Sequence, residues 1–342
     1  MANQNNAKST VQVFFGADER FTPYLAVAIN SLIANVNPAR EYALHILHAD
    51  IKRETQEKIA SMAIKNVSIE FNDVTDSVAG IVSHLPVRDY YSASTYYRFV
   101  IARDFPKIDK ALYIDADTCV VADIAKLYDI QLGDKLIAAV PEAVMAAKDP
   151  AGRYAEKFLG VNRHRYFNAG VMLINSKLWR EEDVLGQFVG LSHFVECKVA
   201  QDQDYLNLIC KDRVRYVHRR WNMETIQPYD GINKNNRGII HYAFAAKPWA
   251  DVTCVYSDIF WKYASTSPFY MEIKSKFAAV TNEQLEASRA IGESVFALCE
   301  SEIKSDHNFL RLAKKKKTKR TFEEEFGEIL DSIFMQACPL KA

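Results

Sequence analysis

Glycine is scarce in the sequence, and the glycine-rich loops that hold phosphate groups are absent. The 342 residues include 12 glycines, and neither GxGxxG nor GxxxxGK followed by Ser or Thr occurs. Those loops hold the phosphates in dinucleotide-binding and P-loop proteins. Both kinds of phosphate cradle are therefore excluded as the main site.

Cysteine is also scarce. The six cysteines are scattered along the chain, and no CxxC pair occurs. We expect buried free thiols in a reducing compartment rather than disulfides. No run of about 18 apolar residues occurs, so no membrane-spanning helix is predicted. The first ten residues are polar, which does not fit a signal peptide. We therefore expect a cytoplasmic protein.

No excess of charge of one sign is present, since Lys plus Arg and Asp plus Glu both number 43. A dedicated nucleic-acid-binding protein usually carries a strongly basic domain, so we expect no nucleic-acid partner. The length and the 49% hydrophobic content fit one large α/β domain with an appendage.

Strand and helix patterns alternate through the first three quarters of the chain. Such alternation predicts a mostly parallel sheet with helices on both faces. The predicted strands are 11–17, 42–48, 67–71, 110–115, 135–140, 169–174 and 213–217, and the predicted helices are 22–36, 54–63, 95–103 and 202–210. Ligands of such sheets bind at the carboxyl ends of the strands.

The pattern changes after residue 262. A helix is predicted over 283–303, and no further strand is indicated. A basic run over 311–320 leads into a second predicted helix over 321–337. We therefore divide the chain into a main domain, 1–262, and a helical C-terminal extension, 263–342.

Two carboxylates follow a buried strand in the segment LYIDAD, which ends at Asp117. Asp115 and Asp117 are two residues apart, so in an extended chain both point to the same side. Two adjacent carboxylates repel each other unless a positive charge lies between them. The pattern favours a divalent metal site, with a solvated strand end or helix-capping aspartates as the alternative.

A histidine follows another apolar pair, and a lysine lies six residues after it. His241 ends the segment IIH, and Lys247 precedes Pro248 and Trp249. An imidazole added to two carboxylates would favour Mn²⁺ over Ca²⁺. A lysine near the same place would neutralise phosphate oxygens. The alternative for His241 is an ordinary core histidine.

Six segments in order carry a resemblance to a known family. They are residues 15–18 (FGAD), 94–98 (STYYR), 113–117 (YIDAD), 166–170 (YFNAG), 202–204 (DQD) and 241–249 (HYAFAAKPW). Over about residues 11–249 the chain resembles glycosyltransferase family 8. The family consists of retaining, metal-dependent transferases with a GT-A fold, and it includes lipopolysaccharide galactosyl- and glucosyltransferases.

The resemblance implies a role for each matching residue. Asp115, Asp117 and His241 would bind Mn²⁺ or Mg²⁺. Residues that would contact the UDP-hexose donor are Gly16, Ala17 and Asp18 at uracil and ribose, Arg98 at the sugar or diphosphate, and Asn168, Ala169 and Asp202 at the sugar. Gln203 would lie near the anomeric carbon, and Lys247 would stabilise the departing β-phosphate. Arg20 and Phe244 stand where many family members have Asn and Gly.

Retention of configuration then implies front-face attack with an oxocarbenium-like transition state. Neutral Gln203 could assist such a step only electrostatically, and a covalent nucleophile at Asp202 or Asp204 is the alternative. The acceptor would be a glycan or glycolipid of a cell-surface polysaccharide or lipopolysaccharide. The donor sugar, galactose or glucose, and the oligomeric state, including a homo-oligomer, stay open.

Two other functions fit parts of the pattern. A strand followed by DxDT also suits a phosphatase of the haloacid-dehalogenase class, although that motif normally lies near the N-terminus. A non-catalytic, transferase-like partner protein is the second. The basic run over 311–320 has seven Lys or Arg and no acid. It is either a solvated linker or a peripheral contact with the anionic inner face of the cell membrane.

Overall fold

The structure is a computed structural model that describes residues 9–82, 93–226 and 231–317. The predicted helix over 321–337 lies outside these residues. Within them the chain forms the strands β1 Val11–Gly16, β2 Tyr42–His48, β3 Val67–Asp73, β4 Ala111–Ile114, β5 Thr118–Val120, β6 Ile137–Pro141, β7 Phe167–Ile174, β8 Val214–Tyr216, β9 Met223–Glu224 and β10 Ile239–His241.

Seven strands form the main sheet, in the order β3-β2-β1-β4-β7-β6-β8. The pairs β3–β2, β2–β1, β1–β4 and β6–β8 are parallel, whereas β7 runs antiparallel to both β4 and β6. The predicted α/β class with a mixed, mostly parallel sheet is therefore confirmed. All seven predicted strands are present within a few residues of their predicted ends.

Helices cover both faces of this sheet. They are α1 Thr22–Ile33, α2 Arg53–Ala60, α3 Thr75–Val82, α4 Ile101–Asp104, α5 Ala125–Tyr128, α6 Ala143–Ala147, α7 Ala151–Tyr154, α8 Ser176–Glu181, α9 Val184–Phe194, α10 Asp202–Ile209, α11 Ser257–Ala264, α12 Tyr270–Ala278, α13 Asn282–Lys304 and α14 Phe309–Lys317. Side chains of β1 alternate between two cores: Val13 and Phe15 pack with α1, and Phe14 packs on the opposite face.

The predicted helix over 95–103 is present, but most of it is a 3₁₀ helix rather than an α-helix. Residues Ala93–Val100 form a 3₁₀ helix, and α4 continues it for one turn. Side chains three residues apart are aligned in a 3₁₀ helix. Thr95 and Arg98 consequently point the same way, and both contact Asp202.

A second sheet of three short strands, in the order β5-β10-β9, lies beyond the end of β4. The strand β10 is antiparallel to β5 and parallel to β9, and His241 pairs with Thr118. This register places His241 beside Asp117. The sequence analysis did not predict this sheet, because strands of two or three residues leave no readable periodicity.

The C-terminal residues share the cores of the main domain. Tyr263 and Ile273 pack into the core on the α1 side, while Cys299 and Phe309 pack into the other. The five cysteines within the described residues are free and buried, as predicted. Among the helices described, none is long and apolar enough to cross a bilayer.

Candidate functional site

The two aspartates after β4 point into one cavity, and a separate set of contacts fixes Asp115. Its Oδ1 accepts hydrogen bonds from the Tyr113 hydroxyl at 2.9 Å and from the Arg98 guanidinium at 3.0 Å. Its Oδ2 lies 3.7 Å from Nε2 of His241. One oxygen of Asp115 is therefore used by the protein, and the other faces the histidine.

His241 faces both carboxylates through a single ring nitrogen. Nε2 lies 3.3 Å from Oδ1 of Asp117, and Nδ1 lies 2.9 Å from the side-chain oxygen of Asn222. A hydrogen on Nδ1 satisfies Asn222 and leaves the Nε2 lone pair directed at the carboxylates. Metal-binding histidines are commonly oriented in this way by a polar group on the other nitrogen.

Gly170 on β7 provides the space for these ligands. A Cβ atom at this position would lie 2.7 Å from Oδ2 of Asp115 and would collide with the His241 ring. The absence of a side chain at Gly170 therefore leaves room for Asp115 and His241.

The cluster of Asp115, Asp117 and His241 fits a divalent cation. Its ligand atoms all lie within 4.8 Å of one another. Octahedral ligands at about 2.1 Å from a metal lie about 3 Å apart, close to the distances between Nε2 and the two carboxylates. Two oxygens and one imidazole nitrogen suit Mn²⁺, and the carboxylates also suit Mg²⁺.

Lys247 adjoins the cluster on the side of Asp117. Its ammonium group donates to Oδ2 of Asp117 at 2.7 Å and to the carbonyl oxygen of Tyr242. Burial acts to raise the pKa of Asp117, but the charges and hydrogen bonds of Lys247 and His241 lower that pKa below its usual range. Asp117 is therefore held as a carboxylate.

Arg98 is buried, so its guanidinium lies at the base of the site and does not extend into solvent. Besides Asp115, its guanidinium lies 3.2 Å from Asp202 and donates to the carbonyl oxygen of Ala169. The hydroxyl of Thr95 also donates to Asp202, at 2.6 Å. Burial raises the pKa of Asp202 to about 6, although Arg98 and Thr95 partly oppose the shift.

Gln203, Asn168 and Ala169 lie together, as the resemblance implied, and all three line the cavity. The side-chain oxygen of Gln203 accepts a hydrogen bond from the backbone N–H of Ala169 at 2.9 Å. Asn168 accepts hydrogen bonds from the Gly170 backbone and from Asn222. These contacts fix the amide planes beside Asp202.

Asp204 does not face the cavity. The hydroxyls of Tyr154 and Tyr166 donate to its two oxygens at 2.9 and 2.7 Å, and the backbone N–H of Ala200 donates at 2.9 Å. Burial raises its pKa to about 6, and these three donors partly oppose the shift. The contacts make Asp204 a buried anchor between α7, β7 and α10.

A buried pair of carboxyl groups, Glu142 and Glu224, was missed by the sequence analysis. Glu224 accepts hydrogen bonds from Asn168 at 3.0 Å and from the Ala143 backbone at 2.9 Å, and Glu142 caps α6. Burial and the charge of Glu142 raise the pKa of Glu224 well above its usual range. A hydrogen-bonded chain thus runs from Glu224 through Asn168 and Asn222 to His241.

Another part of the cavity wall lies at the carboxyl end of β1. Gly16 and Asp18 line it, whereas the Ala17 side chain is buried in the core. Asp18 accepts a hydrogen bond from the Phe21 backbone at 3.0 Å, and exposed Arg20 lies 3.5 Å from Asp18. This part of the wall therefore presents one carboxylate beside a short turn.

Phe21, at the turn that Asp18 caps, belongs to a group of three aromatic rings, and the sequence analysis named only Trp249 of the three. Trp249 stacks on Tyr24 with ring centroids 3.9 Å apart, and Phe21 contacts Trp249 edge to face. All three side chains line the cavity. Phe21 lies at the end of the turn that Asp18 caps, so a planar ring and a carboxylate are presented together.

Phe244 has a backbone conformation that favours glycine. Its φ is +66°, in the left-handed region, and its side chain lines the cavity. An L residue in this region carries a cost on the order of 1 kcal/mol that glycine does not. The family's usual glycine at this position has a physical reason, and this chain places a ring there instead.

Helix α13 forms a wall of the same cavity, whose volume is about 910 Å³. Its cavity-facing positions include Leu285, Ile291, Val295 and Phe296. The hydroxyl of Ser288 donates to the carbonyl oxygen of Ala245 at 3.0 Å. The extension after residue 262 therefore contributes directly to the site.

Comparison with known proteins identifies the family. The family model of glycosyl transferase family 8 matches residues 12–253. The chain is 24% identical to lipopolysaccharide 1,3-galactosyltransferase of Salmonella typhimurium over 80% of both chains. It is 27% identical to lipopolysaccharide 1,2-glucosyltransferase of Escherichia coli over 71% of this chain and 74% of that protein.

A solved structure supports the same conclusion. The galactosyltransferase LgtC, in complex with donor and acceptor sugar analogues, is similar with a TM-score of 0.64 and 27% identity. The similarity covers 78% of this chain and all of LgtC. The predicted GT-A type fold is thereby confirmed, and the phosphatase alternative is incompatible with the match. The chain belongs to glycosyl transferase family 8.

Proposed function

We propose that this protein is a retaining, metal-dependent hexosyltransferase that moves galactose or glucose from a UDP-sugar to a glycan or glycolipid acceptor. One observation carries the proposal. The ligand atoms of Asp115, Asp117 and His241 lie in the same cavity as Lys247 and Gln203. The names of the two lipopolysaccharide transferases favour these two hexoses and a cell-surface glycan.

The positive groups of the site would face the negative charge that develops on UDP when its bond to the hexose breaks. A divalent cation held by Asp115, Asp117 and His241 would supply positive charge to the diphosphate oxygens of the donor. Lys247 adds a second positive group. Its ammonium, which donates a hydrogen bond to Asp117, could donate instead to a phosphate oxygen of the donor. Groups that bind the developing charge more strongly than the ground state lower the barrier.

The contacts of the acidic groups favour front-face attack. Both oxygens of Asp204 accept hydrogen bonds in the core, which leaves that carboxylate no access to an anomeric carbon. Asp202 is engaged by Thr95 and Arg98. Gln203 faces the cavity but is neutral, so it can orient the sugar and cannot serve as a stable anionic nucleophile.

The direct test is UDP release from a panel of UDP-sugars without added acceptor. We expect Mn²⁺-dependent release from UDP-galactose or UDP-glucose, loss of release with a chelator, and no release from GDP-mannose. Absence of release from every UDP-sugar, with Mn²⁺ and candidate acceptors present, would favour the non-catalytic partner instead. With an acceptor, a β-linked product from an α-linked donor would overturn retention.

We also propose that the basic run attaches the protein peripherally to anionic membranes. In α14, Phe309 and Ala313 are buried, whereas Lys314 and Lys315 are exposed. Each basic residue near an anionic surface contributes about 1 kcal/mol. Replacing residues 314–317 with Gln should release the protein from anionic vesicles at low salt and leave UDP release intact. Equal vesicle binding by both proteins would return the run to a solvated linker.

A further inference from the structure

The cavity is also lined by residues that are not assigned to the donor, and many of these are apolar. Val199 and Ala200 lie just before Gln201, which caps α10, and both line the cavity. Val144 on α6 and Val295 and Phe296 on α13 also line it. We name Val144, Met145, Val295 and Phe296 the apolar wall.

Helix α13 is fixed across the cavity at both ends. Near its start, Arg289 lies 3.5 Å from Asp251, and Ser288 donates to the loop that carries Lys247. Near its end, Cys299 is fully buried, and Glu300 pairs with Arg153. Between these contacts, Val295 and Phe296 remain only half-buried, because they face the cavity.

The cavity-facing side of the helix is mostly apolar, with Ser288 and Arg289 as its polar members. Leu285, Gly292, Val295 and Phe296 follow helical spacing and line the cavity. Glu293 and Ser294 lie on the outer, exposed side. When an apolar ligand displaces water from apolar side chains in a cleft, the removal of apolar surface from water favours binding.

We infer that the apolar wall binds an alkyl or aryl group attached directly to the acceptor sugar. The inference rests on the proposed function, since it names the substrate class for the side of the cavity beside Asp202 and Gln203. A sugar hydroxyl buried against the wall would lose its hydrogen bonds to water at a cost, whereas each methylene group placed there gains. The acceptor is therefore an amphiphile whose apolar part begins next to its sugar.

Alkyl glycosides test the wall by binding alone. The methyl, butyl and octyl β-glycosides of galactose and glucose share a sugar within each series and differ in chain length. We expect the dissociation constant, measured by calorimetry below the micelle concentration, to fall at least about tenfold from methyl to octyl in one series. Equal dissociation constants along both series would overturn the inference.

Matched substitutions locate the binding. Val295→Asn and Val144→Asn place an amide in the wall and should raise the octyl glycoside dissociation constant about tenfold. Ser294→Asn and Ala147→Asn place the same amide at exposed positions of the same two helices and should leave that constant unchanged. Equal effects of wall and control substitutions would assign the binding to another surface.

Two further measurements separate this inference from the proposed function. Asp115→Asn should still bind octyl glycoside, because the wall does not require the metal ligands. Failure of UDP release in the wild type, with octyl binding retained, would reject the donor and keep the wall. Concentration-dependent self-association that Val295→Asn abolishes would assign the wall to a second copy of the chain and overturn the inference.

Discussion

At the metal end of the cavity each reactive side chain is held by other polar groups, whereas the apolar wall consists of separate side chains from α6 and α13. Asp115 has Arg98 and Tyr113 as partners, and His241 has Asn222. Val295 and Val144 have only packing contacts to fix them. The polar contacts at the first end hold one geometry, whereas the apolar wall has no such polar support.

The largest expected effect comes from the metal end. Asp115→Asn or Asp117→Asn removes an anionic ligand and should lower UDP release by about 10³-fold or more, with loss of Mn²⁺ binding. Octyl glycoside binding and the melting temperature should stay close to wild type. Normal turnover with unchanged metal dependence in both variants would refute the metal assignment.

Lys247→Ala should produce the next largest effect, mainly on kcat. The ammonium group meets the charge of the leaving diphosphate, and loss of one such group typically costs about 10²–10³-fold. Lys262→Ala, an exposed lysine of α11, serves as the control. A change in KM with unaltered kcat would show that Lys247 binds substrate and transition state equally.

Asn222→Ala tests the polar support behind the metal ligands. Without the oxygen that accepts from Nδ1, the His241 ring can rotate, and Mn²⁺ affinity should fall about 10- to 100-fold. Isothermal titration with Mn²⁺ measures the effect, and exposed Asn235→Ala provides the matched control. Unchanged affinity would mean that packing by β9 and β10 alone orients the ring.

The smallest effect concerns stability and pH. Because the pKa of Asp204 rises from an ordinary value near 4 to about 6 on folding, the folded state binds an extra proton between these values. The free energy of unfolding gained from this group is full below pH 4 and declines as pH rises to 6, by up to about 1.4 kcal/mol per pH unit. Asp204→Asn should reduce this slope in urea titrations and leave the part that comes from Asp202, whose pKa is also raised to about 6.

Exposed Asp76→Asn is the control for this measurement and should keep the wild-type slope. The same slope in the Asp204→Asn variant would show that another group takes up the proton. The measurement is made without metal, so that cation binding adds no pH dependence of its own.

The sequence predicted the metal end better than the apolar end, and the reason is physical. Asp115 and Asp117 are two residues apart at the end of an apolar strand, so local geometry alone makes them converge. His241 and Lys247 were candidates from their own segment, and the family resemblance placed them with the two aspartates. The hydrogen bonds through which Asn222 and Glu224 support His241 were not predicted. They depend on strands of two or three residues and on pairing between distant segments.

The apolar wall could not be predicted for a different reason. Helical periodicity over 283–303 was readable, and α13 is present over 282–304. Periodicity, however, shows only that one face is apolar and does not show which surface that face meets. That Val295 faces a cavity shared with Asp115 follows from tertiary packing, which leaves no local pattern.

The position of α13 in the chain separates the apolar wall from the residues at the metal end. The family match ends at residue 253, and α13 begins at residue 282. The proposed donor residues thus lie in the matched stretch, and the helical wall is supplied by residues that follow it. A substitution in α13 would therefore reshape the proposed acceptor end of the cavity without altering Asp115, Asp117, His241 or Lys247.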